Sequence, residues 1–282
     1  MEKIKLDLYE NTAGVYLDES MGKHQYTVTD ELLGIKNAHM RGVTDVKRTI
    51  IAKPGLMRWP MDMALKHIKS VIGEVDCDMP EEVDRMLEQA TKAHTQRADR
   101  GKDIGTEVHG AIEHYLVTEE KTTVFETKES KKSFDAFIKW YESSEAKKIS
   151  VEQPVYSRER QYCGKYDAIL NIQGEIVLVD FKTTNVSPYA LKKKKEWTGL
   201  YPEDFMQLGF YSKAYKEADP ESTIHDLLLI NCTKEGKLIA LSAQEIGWSV
   251  EDCENLAMSA LTIADGLKNI KKGALDTELQ KF

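Results

Sequence analysis

The stretch that decides the fold is CGKYDAILNIQGEIVLVDFKTTN, residues 163–185. Two apolar runs flank Gln173-Gly174, and a short break of this kind is typical of a tight β-hairpin turn. Such a turn pairs Ile172 with Glu175 and makes the two runs antiparallel neighbours. The stretch therefore predicts a hairpin whose second strand is apolar enough to lie in a buried sheet.

The predicted register brings like charges together. Counting outward from the turn places Asp167 directly opposite Asp180, and side chains opposed in this way lie about 4.5–5.5 Å apart at Cβ. Lys182 projects from the same face as Asp180, because side chains alternate along a strand. Two such carboxylates repel unless a cation lies between them, and Mg²⁺ takes carboxylate oxygens. We favour a metal site; the alternative is a strand-end salt bridge of Asp180 with Lys182, with Asp167 as a solvated turn residue.

The helix GTEVHGAIEHYL, residues 105–116, offers a further candidate ligand. One face carries an apolar stripe that consists of Val108, Ile112 and Leu116. His109 lies off this stripe, and Glu113 follows it by one turn on the same side. A histidine beside a core face is more often structural than a ligand. Imidazole can nevertheless bind a metal when a neighbour holds its second nitrogen, so His109 is a candidate ligand.

Composition is that of an ordinary globular protein. Of 282 residues, 41% are apolar and 30% are charged, and no apolar run is long enough to span a membrane. The first ten residues, MEKIKLDLYE, are too charged for a secretory signal, so we expect a cytoplasmic protein. The net charge of −8 argues against a surface that coats nucleic acid, but it is compatible with an enzyme that has a local basic groove.

Periodicity predicts helices first and a sheet afterwards. Residues 1–60 give an irregular or mixed pattern, and helical patterns follow from Met61 to about residue 149. Strands are predicted at Val151–Arg158, Gly164–Ile172 and Glu175–Phe181, then a helix, a strand pair and a closing helix capped by Ser249. We predict an α/β fold with a mixed central sheet flanked by helices. Residues 1–100 form a mostly helical N-terminal region for substrate guidance or partner contact, and residues 101–282 form the core.

Four segments, taken in order, resemble the PD-(D/E)XK nuclease superfamily, and more closely its RecB-type and phage exonuclease branch. They are GTEVHGAIEHYL, VEQPVYSRERQYCGKYDAI, IVLVDFKTTN and EDFMQLGFYSKAY. Together they contain a histidine after Gly-Thr, a G-x-x-D, a D-x-K that ends a strand and a Q-x-x-x-Y on the next helix. The resemblance covers about residues 100–220. It implies a restriction-endonuclease-like core that hydrolyses DNA with one or two Mg²⁺ or Mn²⁺ ions.

The resemblance also implies roles for individual residues. The metal ligands would be His109, Asp167, Asp180 and the backbone carbonyl of Phe181. The catalytic residues would be Asp167, Asp180 and Lys182, with Lys182 orienting or helping to deprotonate the attacking water. Gln207 and Tyr211 would contact the nucleic-acid backbone or brace the site. Glu113 and Glu152 are possible supporting residues, although a plain surface acid is an equal alternative for Glu152.

Three further features remain open at this point. The basic run Lys192, Lys193, Lys194 and Lys195 is either a solvated loop or a path for substrate phosphates. Trp59, preceded by Arg58, either stacks on bases or packs the helical region against the core. Some relatives hold an iron–sulfur cluster, but Cys77, Cys232 and Cys253 are too dispersed here, so we do not expect such a cluster.

The leading functional hypothesis is an exonuclease that processes ends of linear DNA, single- or double-stranded, in recombination, repair or replication. One alternative is a structure-specific endonuclease of the same fold. Another is a non-catalytic DNA-binding recombination subunit. A recombination protein or a single-strand-binding protein is the expected kind of protein partner, no membrane is expected to be involved, and nothing in the sequence indicates a particular oligomeric state.

Overall fold

The computed structural model describes residues 4–19, 24–51, 54–184 and 200–276. Its strands are β1 (Ile4–Leu8), β2 (Ala13–Asp18), β3 (Gln25–Asp30), β4 (Ile35–Gly42), β5 (Lys147–Ser157), β6 (Tyr162–Ile172), β7 (Glu175–Lys182), β8 (Asp226–Cys232) and β9 (Leu238–Ser242). Its helices are α1 (Val43–Ile50), α2 (Pro54–Val71), α3 (Pro80–Thr118), α4 (Lys128–Ser143), α5 (Pro202–Ala218) and α6 (Val250–Asp276).

The described strands form one mixed sheet. Its order is β1-β2-β3-β4-β6-β7-β8-β9, and β5 pairs with the second edge of β6. The pairs β4–β6 and β7–β8 are parallel, and the other neighbours are antiparallel. The prediction of an α/β fold with a mixed central sheet flanked by helices is confirmed.

The hairpin at the centre of this sheet has the predicted register. Ile172 pairs with Glu175, and pairing continues outward to Ala168 and Val179. Gln173 and Gly174 have φ angles of +54° and +95°, which is the left-handed backbone that a tight hairpin turn requires. The pairing stops there, one position before Asp167 and Asp180, the two residues that the sequence placed face to face.

Helices cover both faces of the sheet and thereby fix which side chains meet. On one face, α3 and α4 pack over alternate residues of the hairpin, among them Val179 and Phe181. On the other face, α1, α5 and α6 pack over residues such as Ile169 and Leu178. The functional side chains of β7 therefore lie at the end of a strand that is buried from both sides. Among the described helices, none combines the length and the apolar character that a membrane span needs.

The N-terminal region differs from the sequence-based expectation. Residues 4–42 form the four strands β1 to β4, whereas a mostly helical region was predicted. The strands are short, and their buried and half-buried positions alternate over only about six residues, as in β2 and β3. Such short alternation is hard to separate from irregular structure. The expectation of helices holds for residues 43–118, apart from short connections.

Two helix boundaries are also corrected. The sequence predicted a helix that starts just after Pro60, but α2 starts at Pro54 and contains Pro60. The helix predicted at residues 105–116 is the last part of a longer helix, α3, which spans 39 residues and runs without a break through the proposed division at residue 100. Gly105 lies inside this helix, and a Cβ there would meet nothing within 4 Å.

The four cysteines lie apart from one another in the fold. Cys77 is exposed, whereas Cys163, Cys232 and Cys253 are buried in three different apolar clusters. Burial raises the pKa of Cys232 and of Cys253 to about 12, so these thiols stay protonated at neutral pH.

Candidate active site

Three acidic residues occupy neighbouring positions on three adjacent strands. The β5–β6 register pairs the residues on either side of Glu152 with those on either side of Asp167. The β6–β7 register, continued by one pair, places Asp180 on the other side of Asp167. Three carboxylates in a row repel one another. A cation bound among them would remove this repulsion, which makes the row a candidate metal site.

The sheet opens at Asp167. On the edge of β6 that faces β7, pairing ends at Ala168, and pairing with β4 involves only Tyr162 and Cys163. Between these two ladders the strands diverge, and Asp167 Oδ2 accepts a hydrogen bond of 2.6 Å from the backbone N–H of Phe181. The Asp167 carboxylate thus accepts a hydrogen bond that a backbone carbonyl of β6 would accept in a regular sheet. The gap between the diverging strands is lined by polar side chains and is called the opening below.

A histidine and two acids meet in this opening. His109, Glu152 and Asp167 each offer a ligand atom, and these atoms all lie within 4.8 Å of one another. His109 Nδ1 is 3.8 Å from Asp167 Oδ2, and a third of the His109 side chain is exposed. One imidazole nitrogen and two carboxylates are donors that Mg²⁺ or Mn²⁺ accepts. The donor set therefore fits a divalent cation.

The surroundings of His109 keep it in the form that binds metals. Burial lowers the pKa of His109, and Asp167 opposes this only in part, so the ring is neutral at neutral pH. The ring also forms a hydrogen bond with the backbone of Phe181 and an edge-to-face contact with the Phe181 ring at 6.4 Å. His109 and Phe181, whose imidazole and carbonyl the family resemblance implies as ligands, are thus direct neighbours.

Glu152 belongs to this group, although the sequence suggested only a supporting or surface role. It has a φ of +52°, a left-handed conformation that is costly for a residue within a strand and is often found at functional sites. Burial and the neighbouring Asp167 raise the pKa of Glu152 to about 8. Lys165 opposes this shift, with its Nζ 2.5 Å from Glu152 Oε2 and 2.8 Å from Glu19 Oε1.

A buried Asp180 and a half-buried Lys182 form an ion pair beside the group. Asp180 is 2% exposed, and its Oδ2 pairs with Lys182 Nζ. Burial raises the pKa of Asp180, and the lysine opposes the shift. For Lys182, burial disfavours the charged amine, but the carboxylates of Asp180, Asp204 and Asp167 outweigh it and raise its pKa. The strand-end salt bridge considered from the sequence is therefore present, whereas Asp167, at 16% exposure, is not a solvated turn residue.

Gln207 and Tyr211 lie under Asp180 on α5. Gln207 Nε2 donates to Asp180 Oδ1 at 3.2 Å and to the Tyr211 hydroxyl at 2.9 Å. Tyr211 is 4% exposed. These contacts match the bracing role considered for the two residues, and the burial of Tyr211 removes it from the surface that a substrate would touch.

The glycine of the G-x-x-D motif makes this bracing possible. A Cβ on Gly164 would lie 2.4 Å from Tyr211 Cε1 and 3.1 Å from Val43 Cγ2. Real Cβ contacts are essentially never that short, so only glycine lets the Tyr211 ring pass across β6. The motif therefore serves the packing of α5 as well as the placement of Asp167.

The remaining predicted residues do not all lie at the candidate site. Glu113 is exposed, and it lies near enough to Glu152 to contribute to the raised pKa of Glu152. Trp59 is half-buried and packs edge-to-face on His94 at 6.0 Å, a contact between α2 and α3 within the helical region. The basic run Lys192, Lys193, Lys194 and Lys195 lies outside the described residues.

Sequence reasoning missed several residues around the site. Lys47 contacts Gln207 and Asp204, and Glu19 and Lys165 contact each other beside Glu152. The partners of Lys47 are 157 and 160 residues away, so no local spacing could have indicated them.

A basic cluster, Arg97, Arg100 and Lys234, was also missed. Lys234 lies in the β8–β9 turn, and its Nζ is 3.6 Å from the position of a Cβ on Gly101 of α3. Its backbone N–H donates to Thr184 O, just beyond Lys182, at 3.4 Å. Burial, followed by the charges of Arg97 and Arg100, lowers the pKa of Lys234. The cluster therefore lies beside the segment that leaves the candidate site.

Comparison with known proteins finds one matching family model and several similar solved structures. A family model for the PD-(D/E)XK nuclease superfamily matches residues 79–273. A candidate exonuclease from Eubacterium rectale is 13% identical, with 58% of this chain and 68% of that chain covered and a TM-score of 0.33. An alkaline exonuclease from Laribacter hongkongensis is 8% identical, with coverage of 60% and 84% and a TM-score of 0.30. No curated protein sequence matches the chain.

Proposed function

Because the chain belongs to the PD-(D/E)XK nuclease superfamily, we propose that it is a metal-dependent deoxyribonuclease that degrades linear DNA from its ends. The observation that carries this proposal is the convergence of His109, Glu152 and Asp167 beside the Asp180–Lys182 pair. A non-catalytic DNA-binding subunit has no need for several buried charges that face one another. The resemblance of the motifs to the RecB-type and phage exonuclease branch favours an exonuclease over a structure-specific endonuclease.

The residues that would hold the metal are His109, Glu152 and Asp167, joined by Asp180 and the carbonyl of Phe181. A bound Mg²⁺ or Mn²⁺ lowers the pKa of a coordinated water and stabilises negative charge on the phosphate. The chain fixes the donors before binding: Phe181 N–H holds Asp167, Lys165 holds Glu152, and Gln207 holds Asp180. Such preorganisation avoids the cost of gathering the donors during the reaction.

Lys182 would act on the attacking water, beside the metal ligands. Its raised pKa keeps the ammonium charged at neutral pH, so it orients the attacking water and stabilises phosphate charge more readily than it accepts a proton. The pair with Asp180 fixes its position at the end of β7. Of the two roles considered for this lysine, orientation is the one that we propose.

The distribution of charge supports a polyanionic substrate. The chain carries a net charge of −8, which disfavours binding of DNA over the whole surface. The cluster of Arg97, Arg100 and Lys234 nevertheless places three cations beside the end of β7, of which Arg100 is paired with Glu129 at 3.1 Å. We place the enzyme in the cytoplasm with DNA ends produced in recombination, repair or replication, and with a recombination or single-strand-binding protein as partner.

The test compares linear DNA with covalently closed circular DNA, each incubated with Mg²⁺, with Mn²⁺ or with EDTA. We expect metal-dependent loss of the linear substrate and an intact circle. Asp167→Asn and Lys182→Met should abolish hydrolysis, whereas Glu88→Gln, which alters an exposed i,i+4 ion pair on α3, should leave it unchanged. Binding of DNA without hydrolysis in any divalent metal would favour the non-catalytic subunit, and cutting of the circle would favour the endonuclease.

A further inference from the structure

Lys47 connects the N-terminal region to the candidate active site. It lies on α1, outside residues 79–273, which match the family. Its Nζ donates to Asp204 Oδ1 at 2.7 Å and to Gln207 Oε1 at 3.1 Å. The Lys47 side chain is 16% exposed and that of Asp204 is 6% exposed, so both contacts are shielded from water. In such surroundings a charged hydrogen bond is stronger than on an open surface.

The contact with Gln207 determines which way its amide points. A lysine ammonium can only donate, so it selects the amide oxygen and leaves the NH₂ group for Asp180 and Tyr211. A reversed amide would place its oxygen against the Asp180 carboxylate and its NH₂ against the ammonium. Both contacts would be repulsive. Lys47 and Asp180 therefore enforce the same orientation from opposite ends of Gln207.

The contact with Asp204 fixes the start of α5. Asp204 Oδ2 accepts from the backbone N–H of Tyr201 at 3.1 Å, and Oδ1 accepts from Lys47. Burial would raise the pKa of Asp204, but the charges of Lys182 and Lys47 outweigh it and lower that pKa. Asp204 is thus paired with Lys47 of α1 and lies within the electrostatic influence of Lys182 at the end of β7.

The fold holds Lys47 firmly in place. α1 directly follows β4, whose last residues pair in parallel with Tyr162 and Cys163 of β6. Val43 and Val46 of α1 are buried in the same apolar cluster as Tyr211. The backbone of Lys47 therefore cannot drift away from α5 without opening that cluster.

We propose that Lys47 is a positioning residue of the active site, which orients the Gln207 amide and thereby holds Asp180 ready for the metal. The inference rests on the proposed nuclease function. It makes the N-terminal region part of the catalytic unit, in addition to any role in guiding substrate.

The test is a double-mutant cycle between Lys47→Met and Gln207→Leu. Methionine keeps an unbranched stem and removes the donor, so kcat on linear DNA and Mn²⁺ affinity should fall about 10–100-fold, with little change in the KM for DNA. The same loss is expected for Gln207→Leu and for the double variant, because Lys47 acts through Gln207. Lys47→Arg keeps charge and donors and should recover much of the activity. The control, Arg48→Met, changes an exposed neighbour on α1 and should have no effect.

Two outcomes would overturn the inference. One is wild-type activity and Mn²⁺ affinity in Lys47→Met. The other is a double variant whose loss is the product of the two single losses, since a purely structural lysine would act independently of Gln207. Should the wild-type chain itself fail to hydrolyse DNA, the proposed function fails, and Mn²⁺ titration of the same folded variants, verified by circular dichroism, still decides the role of Lys47.

Discussion

At the scale of single residues, the site brings acidic side chains together around Asp167. This residue lies between Glu152 and Asp180 on neighbouring strands and contributes to the raised pKa of both. Its own carboxylate is held by the Phe181 N–H. This arrangement is unfavourable for the chain alone and would become favourable if a cation bound among the carboxylates, as we propose.

A pH dependence of metal binding follows from the raised pKa values of Glu152 and Asp180. Below its pKa, which is about 8 for Glu152, each carboxyl holds a proton that the ion must displace. Affinity for Mn²⁺ should therefore rise with pH between about 6 and 8 and level off above the higher pKa. Titration calorimetry in buffers of different ionisation enthalpy should detect proton release near pH 7. An affinity that does not change over this range would contradict the prediction.

The same shift has a consequence for the metal-free protein. Because the pKa of Glu152 is higher in the folded chain than in the unfolded chain, its protonated form contributes stability at low pH. That contribution is fully present below the ordinary glutamate pKa and is lost as pH rises toward about 8. Added Mn²⁺ should therefore raise the unfolding temperature more at pH 8 than at pH 6.

At the scale of elements, how well the sequence predicted the structure depended on how local the determining interactions are. The hairpin register could be predicted because a two-residue turn sets it. Ser249 could be predicted as the cap of α6 because a capping contact is local, and its Oγ does accept from the Asp252 N–H three residues later. The strands β1 to β4 were missed for a different reason: each pairs with its neighbour in the chain, but the alternation of buried and half-buried positions is too short to stand out from an irregular pattern. The extension of α2 before Pro60 was missed because proline normally disfavours a helix interior.

The packing of α5 on β6 can be tested at Gly164. Gly164→Ala places a methyl group 2.4 Å from a buried Tyr211 ring carbon, so α5 must shift, and with it Gln207. We expect a loss of about 1–3 kcal/mol in the free energy of unfolding together with a loss of nuclease activity. Urea denaturation and the linear-DNA assay measure the two effects.

The matched control for this substitution is Gly105→Ala. This glycine lies inside α3, and a Cβ there would meet nothing within 4 Å, so alanine should increase stability by about 0.5–1 kcal/mol. It should leave activity unchanged. Equal tolerance of alanine at both glycines would show that the Tyr211 ring does not need the space that Gly164 provides.

At the scale of the whole molecule, the site is built from segments that are remote in sequence. The motif residues were predicted because their types and order resemble a family, whereas Lys47 and Glu19 lie outside the matching segments and Lys165 occupies an unspecified position of the G-x-x-D motif. Lys47 and Glu19 come from the N-terminal region, where the strands join the core sheet through β4. Contacts of this kind depend on how the sheet closes, which periodicity along the chain does not determine.

The distribution of charge over the molecule leads to a prediction about DNA binding. Arg97, Arg100 and Lys234 converge beside the end of β7, and the β8–β9 turn that presents Lys234 is held by Ser133, whose Oγ donates to Thr233 O at 3.0 Å. If this cluster binds a substrate phosphate, Lys234→Met should weaken binding uniformly across sequences. It should also reduce the slope of log affinity against log salt concentration by about 0.7–0.9.

Fluorescence anisotropy of labelled DNA between low and moderate salt, in Ca²⁺ to prevent turnover, measures this slope. Lys121→Met is the matched control, because Lys121 is an exposed lysine already paired with Glu142 at 2.6 Å. Removing it takes away the same formal charge at another position, so a general charge effect would change both slopes equally. A lower slope for Lys234→Met alone would locate the phosphate path along α3, whereas equal slopes would mean that the DNA leaves the site in another direction.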